Sequence, residues 1–234
     1  GEKRLARKQE QRKIADGMSF VTSANKLKEL TSLCKDLLSF NDGGNEIGIY
    51  IKRVTELEKD VLNWAINLTE NNMKSYYETS SWGWNKNKKV EEMTDDSAWY
   101  LIAKDNANGN PLAFSHFRFD MDFGDPVLYC YELQVESSNR RRGLGARLLQ
   151  ILEVLARDTR MQCVRLTVLT HNSASTAFFK SCGYTVDETS PAPEEAAHYM
   201  ILSKPTQKQD LNGDSLHRHP ISETMEYNRI RNCF

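Results

Sequence analysis

Apolar residues recur along this chain with two different periods, and the changes of period mark the elements. Leu27, Leu30, Leu33, Cys34, Leu37 and Leu38 stand three and four apart. That interval lines one face of a helix, so residues 1 to 40 are predicted to be helical. "EIGIYIKRV" alternates Ile47, Ile49 and Ile51 with small or polar residues, which reads as a strand. Thr55 and Glu58 have capping-box spacing. Behind them Leu57, Val61, Leu62, Trp64, Ala65 and Leu68 predict a long amphipathic helix. The pattern fades in "MKSYYETSSWGWNKN", which reads as a loop.

"AWYLIA" is a buried strand, "PLAFSHFRFDM" an alternating one, and "VLYCYELQVE" a third after a Gly-Asp-Pro turn. Short turns between consecutive strands predict an antiparallel meander. A helix over 143–158, the strand "CVRLTVLT" and a helix opening near Asn172 come next, the last closed by Gly183. "YTVDE" and "HYMILSK" complete a final pair of strands. The expected class is α/β, with a mixed, mainly antiparallel sheet. Three parts are expected: a basic helical arm (1–42), the domain (43–203) and a polar tail (204–234), superficial or partly disordered.

The chain has 234 residues, 39% of them hydrophobic, and a formal net charge of -1. That is enough apolar material for a core, and near neutrality argues against generic nucleic-acid binding. Locally the balance differs, because "GEKRLARKQEQRK" holds six basic and two acidic residues. Either the arm only packs on the domain, or it also touches nucleic acid or an acidic partner. No apolar run reaches membrane-spanning length, and no secretory core opens the chain. The five cysteines form no C-x-x-C pair, as in a reduced intracellular protein. His217 and His219 sit in the polar tail and read as solvated, so no metal is expected.

The candidate chemistry begins at "ESSNRRRGLGARLLQ", residues 136–150. A helix starting near Gly143 leaves its first N–H groups without intrahelical partners. The helix dipole adds positive charge there, and glycine admits a close ligand. Together these make a pyrophosphate cradle, supplemented by Arg140, Arg141 and Arg142. The P-loop pattern is absent, and Gly143 to Leu148 does not fit G-x-G-x-x-G. R-x-x-G-x-G, with Arg140, Gly143 and Gly145 at its fixed positions, between an antiparallel strand and an amphipathic helix, instead resembles the acyl-CoA signature of the GNAT acetyltransferases. The order of elements from 46 to 203 resembles their fold.

The resemblance implies a coenzyme A site along Arg140, Arg141, Arg142, Gly143, Leu144, Gly145, Ala146 and Arg147, with acetyl-CoA as donor. It implies that the fourth and fifth strands of that fold splay, so that pantetheine pairs with Gln134, Val135 and Glu136. It also adds Thr167 and Asn172 to the coenzyme site.

"YYETSSWGW", "EEMTDDSAWYLIA" with "FSHFRFD", and "LYCYELQVE" further resemble the histone-selective N-terminal acetyltransferases of that superfamily. This implies transfer to the α-amine of histone tails beginning Ser-Gly-Arg-Gly, by a monomer without auxiliary subunit, in nucleus and cytoplasm. Glu132 would be the base, because a peptide amine with a pKa of about 8 needs only one positioned carboxylate. Tyr77, Trp82, Asp120, Tyr129, Tyr131, Ser190 and Tyr199 would bind the peptide.

Tyr129 and Glu132 point oppositely in a regular strand, so a bulge near Glu132 to Gln134 is predicted. Phe179 stands where many members carry a proton-donating tyrosine, which leaves Tyr131, solvent or nothing for that role. Cys130 reads as a buried thiol, not a nucleophile. A lysine or small-amine acetyltransferase, and a non-catalytic acyl-CoA-dependent tail-binding module, remain alternatives.

Overall fold

The computed structural model describes residues 2–206; the polar tail beyond, with His217 and His219, lies outside the described residues. Eight strands form one sheet: β1 (Ser39–Asn41), β2 (Glu46–Arg53), β3 (Trp99–Asp105), β4 (Pro111–Asp122), β5 (Asp125–Val135), β6 (Cys163–Leu169), β7 (Thr185–Val186) and β8 (Tyr199–Pro205). Their order is β1-β2-β3-β4-β5-β6-β8-β7. Every neighbouring pair is antiparallel except β5 and β6. Among the described residues five α-helices flank the sheet: α1 (Glu2–Asn25), α2 (Lys59–Glu78), α3 (Lys86–Met93), α4 (Leu144–Asp158) and α5 (Ser173–Ser181).

Alternation in the strands divides the core in two. Trp99, Leu101, Phe117 and Leu128 meet Leu148, Ile151, Leu152 and Leu155 of α4 on one face. Tyr100, Ile102 and Phe114 meet Val61, Ala65 and Leu68 of α2 on the other. Each helix presents a stripe at intervals of three and four, and each strand serves both layers through period two.

The predicted helix over 1–40 ends at Asn25. Leucines spaced by three serve short 3-10 turns equally well, and Leu30 and Cys34 are buried that way. The chain then enters β1, an edge strand joined to β2 by a turn at 42–45. Gly17 lets α1 lie close to the sheet, since a Cβ there would stand 3.1 Å from Pro126 and 3.2 Å from Met121. Residues 2–13 are exposed throughout.

The expected capping box does not form: α2 begins after Glu58 with no side-chain cap, because Glu58 accepts a 2.7 Å hydrogen bond from Lys52 instead. α2 also continues to Glu78, into the first part of the segment read as loop, where Tyr77 extends its buried face. The β4–β5 turn is Phe123-Gly124, with φ of 49° and 81°, as a two-residue primed hairpin requires. Asp125 and Pro126 therefore belong to the strand rather than the turn.

Candidate active site

β4 pairs Phe117 with Cys130 and His116 with Glu132, so Tyr131 has no opposite residue. The predicted bulge is present, one residue earlier than expected. An extra residue reverses the parity of the strand beyond it. Tyr129 and Glu132 consequently share the face covered by α2, which a regular strand would forbid. The Tyr131 ring stacks on His116 at 4.9 Å and lies 5.2 Å from Tyr129.

The parallel β5–β6 ladder ends at Cys130 and Leu166, while β5 continues to Val135 and β6 to Leu169. The two strands thus splay at their C-terminal ends. The cleft between them, about 90 Å³, is lined by Tyr77, Trp82, Tyr129 to Gln134, Thr167, Asn172 and Phe179. The Tyr129 and Thr167 hydroxyls meet across it at 2.5 Å.

Glu132 is buried in this cleft. One carboxylate oxygen accepts from the Lys89 ammonium at 2.9 Å, the other from the Gln134 amide at 2.9 Å. Lys89 also donates to Glu92 at 2.8 Å, and its side chain is 2% exposed. Burial opposes the lysine charge, but Glu132 and Glu92 hold its pKa well above the usual value. Burial pushes the Glu92 carboxyl up to about 7, with Lys89 pulling the other way. One Glu92 oxygen is buried without a hydrogen-bond partner.

α3 delivers these two side chains. Asn85 caps it by accepting from the Lys88 N–H at 3.0 Å. Its C-terminal end is tied down where Arg118 donates to the Glu92 carbonyl at 2.5 Å and Tyr100 to the Met93 carbonyl at 2.6 Å. Sequence reading missed α3, because "KNKKVEEM" looks like a solvated charge run. The available signal was Asn85 as a cap, with Lys89, Glu92 and Met93 on one helical face.

The glycine turn has the expected geometry, with α4 opening at Leu144 and Gly143 at φ 83°. The first helical bond runs from the Arg147 N–H to the Gly143 carbonyl at 3.0 Å. The N–H groups of Leu144, Gly145 and Ala146 therefore have no intrahelical acceptor. The arginines are less free than the sequence suggested. Arg140 donates to Asn72 at 2.8 Å and the Val135 carbonyl at 3.2 Å. Arg142 pairs with the buried Asp42 at 2.9 Å, and the Arg147 guanidinium lies 5.4 Å from the Phe40 ring centre. Of the three consecutive arginines, Arg141 alone has no ion pair or hydrogen bond among the described residues.

The expected pantetheine strand also needs adjusting. The Glu136 N–H donates to the Leu112 carbonyl on the β4 side, at 2.9 Å. By alternation, Leu133 and Val135 turn their backbone groups toward the splay, and Gln134 and Glu136 do not. The Glu136 carboxylate accepts from Trp64 at 2.8 Å, and the Gln134 side chain accepts from Asn72 at 3.0 Å. Asn172 lines the cleft while capping α5, accepting from the Ser175 N–H at 3.1 Å.

Tyr77 and Trp82 form one aromatic wall, ring centres 6.4 Å apart, and Tyr199 stands 4.9 Å beyond Trp82. Asp120 is exposed on β4, on the face that carries Arg118 and Tyr129. Ser190 is not in the cleft lining; its hydroxyl accepts from the Ile201 N–H at 3.0 Å and pins the preceding loop to β8. Burial pushes the Cys130 thiol up to about 12, so it stays protonated and unreactive.

Residues 61–184 match the Acetyltransferase (GNAT) family. N-alpha-acetyltransferase 40 of Saccharomyces cerevisiae is 32% identical over 126 residues, which is 46% of this chain and 44% of that protein. The chain thus spans less than half the length of this relative. Two solved structures share the fold. A GNAT-family acetyltransferase from Listeria monocytogenes has a TM-score of 0.52 at 13% identity, over 71% of this chain and 99% of its own. The GNAT domain of S. lividans PAT has a TM-score of 0.53 at 16% identity, over 72% of this chain and 94% of its own. The family match contains both the uncapped glycine turn and the start of the splay, and helix-start amides beside splayed strands fit a diphosphate and its pantetheine arm. On that agreement of sequence, fold and site, the chain belongs to the GNAT acetyltransferases, enzymes whose acyl donor is acetyl-CoA.

Proposed function

We propose that this enzyme acetylates the N-terminal α-amine of a protein chain, with Glu132 as general base, and that its substrates are histone tails beginning Ser-Gly-Arg-Gly. The observation that carries this reading is the Glu132 carboxylate, buried where the strands splay and flanked by Tyr77, Trp82, Tyr129 and Tyr131. A carboxylate held away from water is costly unless partnered, and here it faces a cleft. Similarity to the yeast protein named as an N-alpha-acetyltransferase supports the choice of amine.

Acetyl-CoA supplies the electrophilic thioester carbonyl. The Leu144, Gly145 and Ala146 amides, with Arg141, would hold its diphosphate, and Leu133 and Val135 would receive the pantetheine. Glu132 would take one proton from the incoming α-ammonium, freeing the nitrogen lone pair to attack the thioester carbon, and the second N–H proton would pass to solvent as the C–S bond breaks. The aromatic wall excludes water and keeps the first two residues extended. Asp120 pairs with the arginine at position three, a charge-assisted contact. Phe179 cannot protonate the departing thiolate. With a thiol pKa of about 8.5, that sulfur can leave as the anion and take its proton from solvent.

The exposed basic turns of α1 suit contact with nucleic acid beside a histone substrate. Deleting residues 2–12 should leave acetylation of a short peptide unchanged. The same deletion should flatten the salt dependence of DNA binding.

The decisive comparison uses a Ser-Gly-Arg-Gly peptide and the same peptide blocked at its N-terminus, with an internal lysine in both. Only the free form should be acetylated. Equal turnover of the blocked peptide would refute the α-amine reading. Glu132→Gln should lower kcat about 10²-fold or more while leaving acetyl-CoA binding, read by calorimetry, intact.

A further inference from the structure

We propose that Lys89 and Glu92 are positioning residues that bind Glu132 into a buried three-group unit, and that the charge of the whole unit decides when a proton can be taken from the incoming amine. This rests on the reading of Glu132 as the base. Three observations carry it. Lys89 bridges the two carboxylates at 2.9 Å and 2.8 Å. All three side chains are at least nine-tenths buried, so solvent screens them little. The second Glu92 oxygen is buried with no partner, an arrangement that a purely structural ion pair would avoid.

Other charged and titratable groups surround Glu92. β4 contributes Arg118, which holds the Glu92 carbonyl and pairs with Asp95, and His116, which accepts from Arg118 at 3.2 Å. α2 contributes Tyr77, with its hydroxyl 3.5 Å from Lys89, and β3 contributes Tyr100, bound to the Met93 carbonyl. Both phenols are buried and held well above their usual pKa by that burial, so they stay neutral. His116 is likewise kept neutral by burial, with Arg118 and Lys89 adding to the effect.

Two carboxylates around one ammonium form a unit with two relevant charges. With one carboxyl protonated it is neutral, and with both ionised it carries one negative charge. The second form, with its extra buried negative charge, is the one in which Glu132 draws a proton most strongly. An N–H bond of the substrate ammonium then breaks and an O–H bond forms at Glu132, while Lys89 keeps its own protons. The final proton leaves the unit at a macroscopic pKa that belongs to the group, not to one residue. With the Glu92 carboxyl near 7, the acid limb of the rate profile falls close to neutrality.

The unit makes opposite predictions for its two supporting members. Without Glu92, Lys89 neutralises Glu132 alone and the last proton leaves more readily. Without Lys89, two carboxylates share a buried site and one holds its proton longer. The test is the pH profile of kcat/KM for a Ser-Gly-Arg-Gly peptide at saturating acetyl-CoA. Glu92→Gln should move the acid limb down by about one pH unit or more, and Lys89→Met should move it up by about as much. KM for acetyl-CoA should stay unchanged in both.

Limbs that stay in place, or that move the same way, overturn the proposal. If Lys89→Met does not fold, Lys89→Met combined with Glu92→Gln leaves Glu132 as the sole charge. Its limb must then lie above that of Glu92→Gln alone, and coincidence of the two overturns the proposal. Glu132→Gln in the same series separates the two ideas. Wild-type turnover there refutes the base itself, whereas a dead Glu132→Gln with unmoved limbs in the other variants refutes only the unit.

Discussion

His116 and Glu92 are both buried and both meet Arg118, yet burial displaces their protons in opposite senses. Burial, then Arg118 and Lys89, hold the His116 imidazole well below 6.5. Below that pH the unfolded chain binds a proton that the folded one refuses, so stability falls as pH falls. Burial raises Glu92 from 4.5 to about 7. Across that window the folded chain keeps a proton that the unfolded one releases, so stability falls as pH rises. Each slope is about 1.4 kcal/mol per pH unit, and the two oppose each other between about 5 and 6. Glu92→Gln removes one slope. Its stability, from urea denaturation, should climb with pH across that interval by about 1.4 kcal/mol per unit more than wild type. Parallel wild-type and variant curves would contradict the assignment. Glu132 was singled out by the family resemblance, and the structure shows that it is buried in the cleft. Lys89 and Glu92 were not singled out, because a charged residue in a charged run gives no local sign that it will be buried.

At the scale of elements, the long amphipathic helices and the alternating strands were readable because each repeats its pattern over many residues. α3 has eight residues and two turns, too few for a period to stand out. The bulge at Tyr131 was expected from a conflict of parity between Tyr129 and Glu132, but its position depends on pairing with β4. The glycine turn combines local and tertiary causes. Gly143 adopts φ 83°, and a Cβ there would stand 3.4 Å from Phe40. Gly143→Ala should therefore cost about 1 kcal/mol or more and weaken acetyl-CoA binding severalfold by calorimetry, because the strained turn carries the amides. A Cβ on Gly145 would stand 3.0 Å from the tip of the Phe178 ring and 3.7 Å from Leu133, side-chain atoms only, with no positive φ. The loss for Gly145→Ala should be smaller, and the reverse order would show that the turn's backbone is not what binds.

Across the whole molecule, Arg165 joins elements that are far apart in the chain. From β6 it reaches Asp122 at 2.8 Å, Asp125 at 3.5 Å and Asp187 at 3.2 Å, and Asp125 in turn meets Lys13 of α1 at 3.3 Å. Removing the cation leaves three carboxylates at the base of the sheet, two of them buried. Arg165→Met should cost about 3–5 kcal/mol, measured by chemical denaturation, with part of the loss recovered at acid pH as the carboxylates protonate. A cost under about 1 kcal/mol would mean that the ion cluster is bystander to the fold.

Local patterns were enough to determine most helices and strands, the antiparallel meander and the glycine turn, because spacing, capping and alternation act over a few residues. Pairing and burial were decided only when the chain closed on itself. Closure converts a leucine-rich stretch into 3-10 turns, since packing favours whichever backbone buries Leu30 and Cys34. It also draws Arg140 and Arg142 away from a ligand toward Asn72 and Asp42, and brings Lys89 from one helix against Glu132 on a distant strand. Charges separated by tens of residues interact only through space, and no sequence interval records that distance.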